Sequence, residues 1–334
     1  MAACEEARYV NLGMAPEPSG GAGTTSGGSA GTGGALPGGT AGESGESGGV
    51  GAAGAGGTTG PLRPMRFGVR GPIRALIPEV IPDDLKQDNP TLNAAKTELY
   101  FTSNRAGGVG EADVWVSTRT SASGDWGEPE LVERVNTDQD ESSPAVSPDG
   151  MKLWVGIDSD EGLGELDIWE WTRGSASATD WRDPRNVGAL NSEFSDIPRP
   201  PGHAGIMPMA SRRSDNGRYW TYFARPTDMG DDFLTPELLP VLNVTAGDTV
   251  DGFLTDDGLR FFYNREPREG EGELFVAYRA SVDDDFTNDV ERLLDIVTDG
   301  DERDPWLGGS DFYYSSDAEG FLTIWHAEVV SPDD

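Results

Sequence analysis

Cysteine is almost absent from this chain of 334 residues, which contains Cys4 and no other. A single cysteine excludes an internal disulfide, a cysteine-rich zinc site and a redox pair of thiols. Histidine occurs twice, which argues against a nucleophilic triad built on histidine. No apolar run reaches the length of about 18 residues that a membrane span needs, so none is predicted.

Basic residues are also few. The sequence has 25 lysines and arginines against 59 acidic residues, a formal charge of −34, of which residues 1–60 carry −4. Such a chain repels the phosphate backbone, so nucleic acid is excluded as a partner. An acidic surface is typical of solubility and salt tolerance, or of a surface that recruits cations or a basic partner; both interpretations stay open.

Composition divides the chain into two parts. Residues 1–60 are rich in Gly, Ser, Thr and Ala and contain no Phe or Trp, so they are predicted to be a disordered tether. Residues 61–334 hold all nine Trp and all twelve Phe and are predicted to be one folded domain. Small residues before Cys4, and the tether after it, are similar to bacterial lipoproteins, so Cys4 is a candidate for lipidation. A free thiol in an ordinary tail is the alternative.

A unit of about 53 residues recurs through the folded part. Its clearest element is an apolar strand that begins at positions 52 to 54 residues apart: Leu99, Leu153, Met207, Leu259 and Phe312. This period, with several short strands and turns per unit, indicates the blades of a β-propeller. Each unit is predicted to have four antiparallel strands, with outer strands at 130–136, 185–191, 237–243 and 291–297. The fifth unit lacks an outer strand, and residues 72–81 are predicted to supply it and close the ring.

Acidic residues precede or begin the innermost strand of every unit. Eight of them are candidates for a ring around the central funnel: Asp88, Asp140, Glu141, Asp196, Asp248, Asp251, Asp301 and Asp304. Acids that recur in every blade are expected to be structural, because a catalytic pair would break the repeat. Cation binding and glycoside hydrolysis by two carboxylates are the alternatives. No catalytic residue is assigned.

Calcium is the one cofactor that the sequence leaves open. Hard cations prefer several oxygen ligands, and two short acidic segments offer them: Asp158 with Asp160, and Asp299 with Asp301. Neither segment has the twelve-residue pattern of a helix–loop–helix calcium site.

The segments from Ser143 to Trp154, from Phe101 to Arg105, and around Trp115 and Trp169 resemble the WD-like propeller repeats of the TolB type. That resemblance implies a propeller with a binding or scaffolding role in the bacterial envelope. TolB itself has six blades and an extra α/β domain, so its partners do not transfer.

The expectation is therefore a five-bladed, all-β propeller, monomeric and non-catalytic, that binds an envelope protein or a glycan through one face. It would be periplasmic or at the cell surface, held to the membrane only by a lipid anchor. The alternative function is a glycan-processing enzyme that uses the funnel carboxylates.

Overall fold

Five antiparallel sheets of four strands each make up the fold. The structure is a computed structural model that describes residues 65–214, 217–243, 247–267, 272–287 and 290–330. The helices within these described ranges are three short 3-10 turns, at Arg74–Leu76, His203–Gly205 and Leu294–Ile296. The predicted five-bladed β-propeller with four strands per blade is confirmed. Cys4 and the predicted tether at residues 1–60 lie outside the described residues.

The strands of each blade follow one another from the innermost outward. Blade 1 contains β2 (Gln87–Leu92), β3 (Glu98–Ser103), β4 (Asp113–Thr118) and β5 (Glu130–Leu131). Blade 2 contains β6 (Glu141–Val146), β7 (Lys152–Asp158), β8 (Leu166–Thr172) and β9 (Arg182–Asn186). Blade 3 contains β10 (Asp196–Pro198), β11 (Met207–Ser211), β12 (Trp220–Ala224) and β13 (Glu237–Leu238). Blade 4 contains β14 (Gly247–Leu254), β15 (Arg260–Pro267), β16 (Glu273–Tyr278) and β17 (Val290–Arg292). Blade 5 contains β18 (Glu302–Gly308), β19 (Asp311–Ser316), β20 (Thr323–Val330) and, as its outer strand, β1 (Arg66–Pro72).

The core lies between neighbouring blades. Successive residues of the second strand, such as Leu99, Tyr100 and Phe101, are at most 1% exposed, although their side chains point to opposite faces of the sheet. A strand is buried on both faces when another sheet covers each of them. Inner strands also touch around the ring, as β18 contacts β2 and β2 contacts β6. The repeated apolar strand therefore marks the middle layer of each blade.

An N-terminal strand closes the ring as predicted, but residues 66–72 form it instead of 72–81. β1 pairs with β20, and Phe67 packs on Phe312 with ring centroids 4.9 Å apart. Ladder pairing ends when the Ile73 N–H donates to the Ile324 carbonyl at 2.9 Å. Beyond it the chain turns through the first 3-10 helix, and Pro78 and Pro82 have no N–H to continue a ladder. The predicted strand bounds were therefore wrong by about one strand length.

The outer strands are also shorter than predicted. β5, β9, β13 and β17 span two to five residues, and the chain then turns away from the sheet. An asparagine side chain takes over the pairing in three blades. In blade 1, Asn136 accepts from the Val114 N–H at 2.7 Å and donates to the Val114 carbonyl at 2.9 Å. Equivalent amide bridges join Asn191 to Ile168 and Asn243 to Thr221. A side-chain amide has both groups of a backbone amide, so it completes the ladder without a strand.

Candidate functional site

Four of the five inner strands contain a bulge at the same place. The pairing register shifts there in β2, β6, β14 and β18. The bulged residues all have a positive φ: Asn89 (56°), Ser143 (53°), Asp251 (55°) and Asp304 (58°). Asparagine and aspartate tolerate this left-handed conformation better than most other residues. A bulge redirects a side chain that would otherwise follow the alternation of the strand.

The bulged residues meet Arg199, which follows β10 of blade 3, at the centre of the molecule. Arg199 Nη1 donates to Asn89 Oδ1 at 2.6 Å and lies 3.4 Å from Asp251 Oδ1 and 3.5 Å from Asp304 Oδ1. The Asn89 N–H donates to Asp304 Oδ2 at 3.1 Å, and Ser143 Oγ donates to Asn89 Oδ1 at 3.1 Å. We call these five residues, one from each blade, the axial cluster. Its members are at most 3% exposed, so they fill the axis at this level.

Asp251 and Asp304 are thus two predicted funnel acids that do come together. Both lie against the guanidinium of Arg199. Glycoside hydrolysis needs one protonated and one ionised carboxyl group on either side of a sugar. Asp251 and Asp304 are buried and share one arginine, so they leave no space for a sugar between them.

Glu141 and Asp196 cap the turn before their own inner strands. The Thr137 N–H donates to Glu141 Oε2 at 3.1 Å, and the Ser192 N–H donates to Asp196 Oδ2 at 2.6 Å. Glu302, which was not among the predicted acids, accepts from the Thr298 N–H at 3.2 Å in the same way. The signal in the sequence is a Thr or Ser four residues before the acid in all three cases. All three acids therefore cap turns.

Replacing Glu141 by glutamine is expected to change how stability depends on pH. Burial raises the pKa of Glu141 to about 7, from an ordinary value of 4.5. Between these values the folded state keeps a proton that the unfolded state has lost, so Glu141 destabilises the wild type progressively as pH rises through this window. Glutamine does not titrate. Glu141→Gln should therefore gain stability relative to wild type between pH 4 and pH 8, on the order of 2–3 kcal/mol, in urea unfolding. Exposed Glu133→Gln is the matched control, and an equal, pH-independent difference for both variants would contradict the prediction.

Asp140, Asp248 and Asp301 bind the neighbouring blade. Each precedes an inner strand or lies at its start and accepts a backbone N–H from the entry to the preceding blade's third strand. Asp140 Oδ1 accepts from Ala112 at 3.1 Å, Asp301 Oδ1 accepts from Gly272 at 2.8 Å, and Asp248 accepts from Tyr219. Burial raises the pKa of Asp248 to about 6, with Glu266 adding to the effect. These three acids join adjacent blades.

The calcium candidates do not converge. Asp158, Asp160 and Asp299 are exposed, whereas Asp301 is buried against Arg303. Within the residues that the structure describes, no three His, Cys, Asp or Glu side chains are grouped as a metal site requires.

A cavity of about 740 Å³ opens at one face of the propeller, beside the axial cluster. Its wall comes from residues 83–86 before β2, from the β3–β4 connection and from the β19–β20 connection. These connections lie on the same face, because an inner strand begins where the second strand ends. Of the eight predicted acids, all of them in the described part of the chain, Asp88 alone lines this cavity. Asn89 lines it too, so the axial cluster adjoins the cavity.

The charged residues of the cavity lining are mainly acidic. Five carboxylates line it, against two cations: Asp83, Asp84, Asp88, Glu111 and Asp317, against Lys86 and Arg303. Asp88 Oδ1 accepts from Asn89 Nδ2 at 2.7 Å. Sequence reasoning missed the other four acids, because they lie in connections outside the repeated inner strand. Arg199 was missed as well, although it stands directly before a proline, as Asn89, Ser143 and Asp304 do in their units.

Comparison with known proteins supports the fold. No protein-family model matches this chain, and no curated protein does. An endo-arabinase from Bacteroides thetaiotaomicron is similar with a TM-score of 0.53 at 14% identity, over 75% of this chain and 96% of the arabinase. A family 117 glycoside hydrolase from Zobellia galactanivorans is similar with a TM-score of 0.51 at 13% identity, over 81% and 92% of the two chains. TolB from Acinetobacter baumannii has a TM-score of 0.42 at 12% identity, over 72% of this chain.

This chain spans about half the length of that TolB, 53% of it. At such identities the likeness concerns the β-propeller fold, which hosts unrelated functions. No helix in the described part of the chain has the length and apolar character needed to cross a membrane.

Proposed function

We propose that this protein is a non-catalytic binding propeller that recognises a protein or a glycan in the cavity of about 740 Å³. The main support for the proposal is that most of the predicted acids are engaged within the fold. Seven of the eight cap turns, join blades or neutralise Arg199. A glycosidase needs two carboxylates that face its sugar at a defined separation, and these seven are engaged elsewhere.

The cavity has the properties of a binding site. Its volume lies within the range of about 300–1,000 Å³ that is usual for ligand pockets. It combines charged groups with the amide of Asn104 and the ring of Phe321. Asn104 is held in place, because its Oδ1 accepts from the Lys86 N–H at 2.8 Å and its Nδ2 donates to the Asp84 carbonyl at 2.9 Å. Fixed polar groups give a pocket its specificity.

Envelope anchoring is part of this proposal. Its support is the Ala2-Ala3-Cys4 pattern and the tether composition of residues 1–60. A lipid-anchored protein should partition into detergent and carry acyl mass at its cysteine. A soluble protein with an unmodified Cys4 thiol, isolated from its native cells, would remove the anchor from the proposal.

Two measurements test the binding function against the enzyme alternative. The full chain is first incubated with a panel of plant, algal and bacterial polysaccharides, and we expect no release of reducing ends above buffer. It is then screened on a glycan array and against a displayed random peptide library, and we expect one of the two to return a ligand. Glu111→Arg should weaken that ligand at least about tenfold, because it reverses a charge in the cavity wall. The matched control Glu133→Arg, at an exposed position on the turn after β5, should leave the affinity unchanged.

Hydrolysis of any polysaccharide that is lost in Asp88→Asn but kept in Glu133→Gln would overturn the binding function in favour of a glycosidase. A ligand whose affinity is unaffected by Glu111→Arg would overturn the assignment to this cavity. No ligand on either screen would also count against the proposal.

A further inference from the structure

Blades 1 and 2 present two loops of nearly identical sequence on the face that contains the cavity. The β3–β4 connection reads Gly-Val-Gly-Glu-Ala-Asp at residues 108–113, and the β7–β8 connection reads Gly-Leu-Gly-Glu-Leu-Asp at residues 162–167. Both link the second and third strands of neighbouring blades, so they lie side by side on the same face.

An aspartate holds each loop in a fixed shape. Asp113 accepts from the Val109 N–H at 3.0 and 3.1 Å and from the Gly110 N–H at 3.3 Å. Asp167 accepts from the Leu163 N–H in the same manner. The glycine before the apolar residue leaves room for this carboxylate, since a Cβ on Gly108 would lie 1.9 Å from Asp113 Oδ2. The same contact at Gly162 would be 2.7 Å.

The fixed loops hold an apolar side chain in solvent. Val109 is 55% exposed and Leu163 is 63% exposed, each at the same position of its loop. A single exposed apolar residue is ordinary on a protein surface. Two that are repeated on adjacent, preorganised loops are different, because preorganisation lowers the entropy cost of binding a partner. Val109 lies next to the cavity, since Glu111 and Ala112 of its loop line it, and Leu163 presents the same apolar group one blade further round the ring.

The cavity next to Val109 favours a cation. Its five carboxylates outnumber its two cations, a formal charge of −3. Asp140, directly behind Ala112, is 7% exposed and has an Oδ2 with no hydrogen-bond partner among the described residues. Burial raises the pKa of Asp140, and the charges of Glu111 and Asp158 add to the rise. Negative charge is therefore in excess here, and a positive ligand group would reduce it.

Two classes of cation could bind in this cavity, a metal ion or a positively charged organic group. A metal ion is disfavoured, since the described residues contain no group of three ligating side chains. An ammonium or guanidinium group needs only nearby carboxylates, as in a salt bridge. A neutral glycan can donate hydroxyl hydrogen bonds to these carboxylates but leaves their charge uncompensated, and hydroxyl-rich surfaces do not match the aliphatic tips of Val109 and Leu163. A peptide has both required features, a cationic side chain and apolar neighbours.

We propose that this face of blades 1 and 2 is a docking surface for a segment of a partner protein, which inserts a lysine or arginine into the cavity and packs apolar side chains on Val109 and Leu163. This inference rests on the proposed binding function and names its ligand class. The partner segment is basic with flanking aliphatic or aromatic residues, and the association weakens as salt is raised.

The test is a selection from a displayed library of random peptides on the full-chain protein. Enriched peptides should contain Lys or Arg beside apolar residues. The best arginine-containing peptide is then synthesised with citrulline in place of arginine, which keeps the shape and removes the charge. We expect its affinity, measured by titration calorimetry, to fall at least about tenfold, or about 1.4 kcal/mol.

The surface itself is tested with matched variants. Val109→Ser combined with Leu163→Ser should weaken the arginine peptide at least about tenfold. Val282→Ser should not, because Val282 is 42% exposed in a connection between the third and outer strands, at the opposite face. Circular dichroism and melting temperature check that the variants are folded.

The outcomes separate this inference from the proposed function. A cavity-dependent glycan ligand with no enriched peptide would overturn the peptide inference and leave the binding function standing. Enriched peptides without basic residues, equal affinity of the citrulline peptide, or equal affinity of the Val109/Leu163 variant would each overturn the inference too. Polysaccharide hydrolysis that depends on Asp88 would overturn the binding function first.

Discussion

Replacing Arg199 by methionine is expected to lower the free energy of unfolding by about 3–5 kcal/mol. Arg199 is 2% exposed and lies within 3.5 Å of carboxylate oxygens from both Asp251 and Asp304. Methionine fills much of the volume but removes the cation that the buried carboxyl groups of Asp251 and Asp304 both face. Removing one partner of a buried charge cluster is costly for this reason, whatever the net contribution of the intact cluster.

Two further variants show whether charge is the cause. Arg182→Met removes an arginine that is 63% exposed and paired with Asp180, and should cost less than about 1 kcal/mol. The triple variant Arg199→Met, Asp251→Asn, Asp304→Asn should recover most of the loss, because the axial cluster then carries no charge. Urea unfolding measures all three. A loss below about 1 kcal/mol for Arg199→Met would mean that the axial cluster does not depend on its cation.

A chain that begins at Ile73 is expected to aggregate, whereas one that begins at Met65 should fold. Without β1, the backbone groups of β20 along Thr323–Val330 become an open sheet edge, which pairs readily with other chains. The ring of Phe312 loses Phe67, its neighbour at 4.9 Å. Blade 4 is affected as well, because Arg70 donates to the carbonyls of Asp295 and Val297.

Light scattering and thermal unfolding measure this prediction. The chain from Met65 should melt within about 2 °C of the full chain, which also tests the predicted tether at residues 1–60. An independent check uses Arg66→Cys with Val330→Cys in a Cys4→Ser background, since residues 66 and 330 are direct partners in the ladder. Oxidation should join them. A soluble chain from Ile73 with an unchanged melting temperature would show that ring closure does not need β1.

Local spacing predicted the architecture well. The recurrence of Leu99, Leu153 and their counterparts gave the correct number of blades and the correct position of the second strand in each. Strand alternation and turn residues depend on near neighbours in the chain, and the sequence shows those directly. The recurrence of acids also favoured structural use, which stays a prediction; Glu141 and Asp196 cap turns in the structure.

Boundaries were predicted less well, because tertiary contacts set them. Residues 72–81 have the composition of a strand, yet Pro78 and Pro82 interrupt the ladder, and the less apolar residues 66–72 form it. The outer strands end early because Asn136 and its equivalents complete the ladder with a side chain. A run of apolar residues does not show which backbone N–H and C=O groups will be hydrogen-bonded in the folded chain.

The sequence by itself determined a closed ring of five four-stranded blades, since a repeated apolar strand must be covered on both faces and a ring is the arrangement that covers all five. Only the tertiary structure decided which acids line the cavity and which form hydrogen bonds or ion pairs inside the fold. Asn89, Ser143, Arg199, Asp251 and Asp304 come from five different blades and meet only because four bulges redirect their side chains to the axis. Contacts between residues so far apart in the chain depend on ring closure, and no local pattern records them. The acidic cavity arises in the same way, from connections of blades 1 and 5 that lie more than 200 residues apart in the sequence.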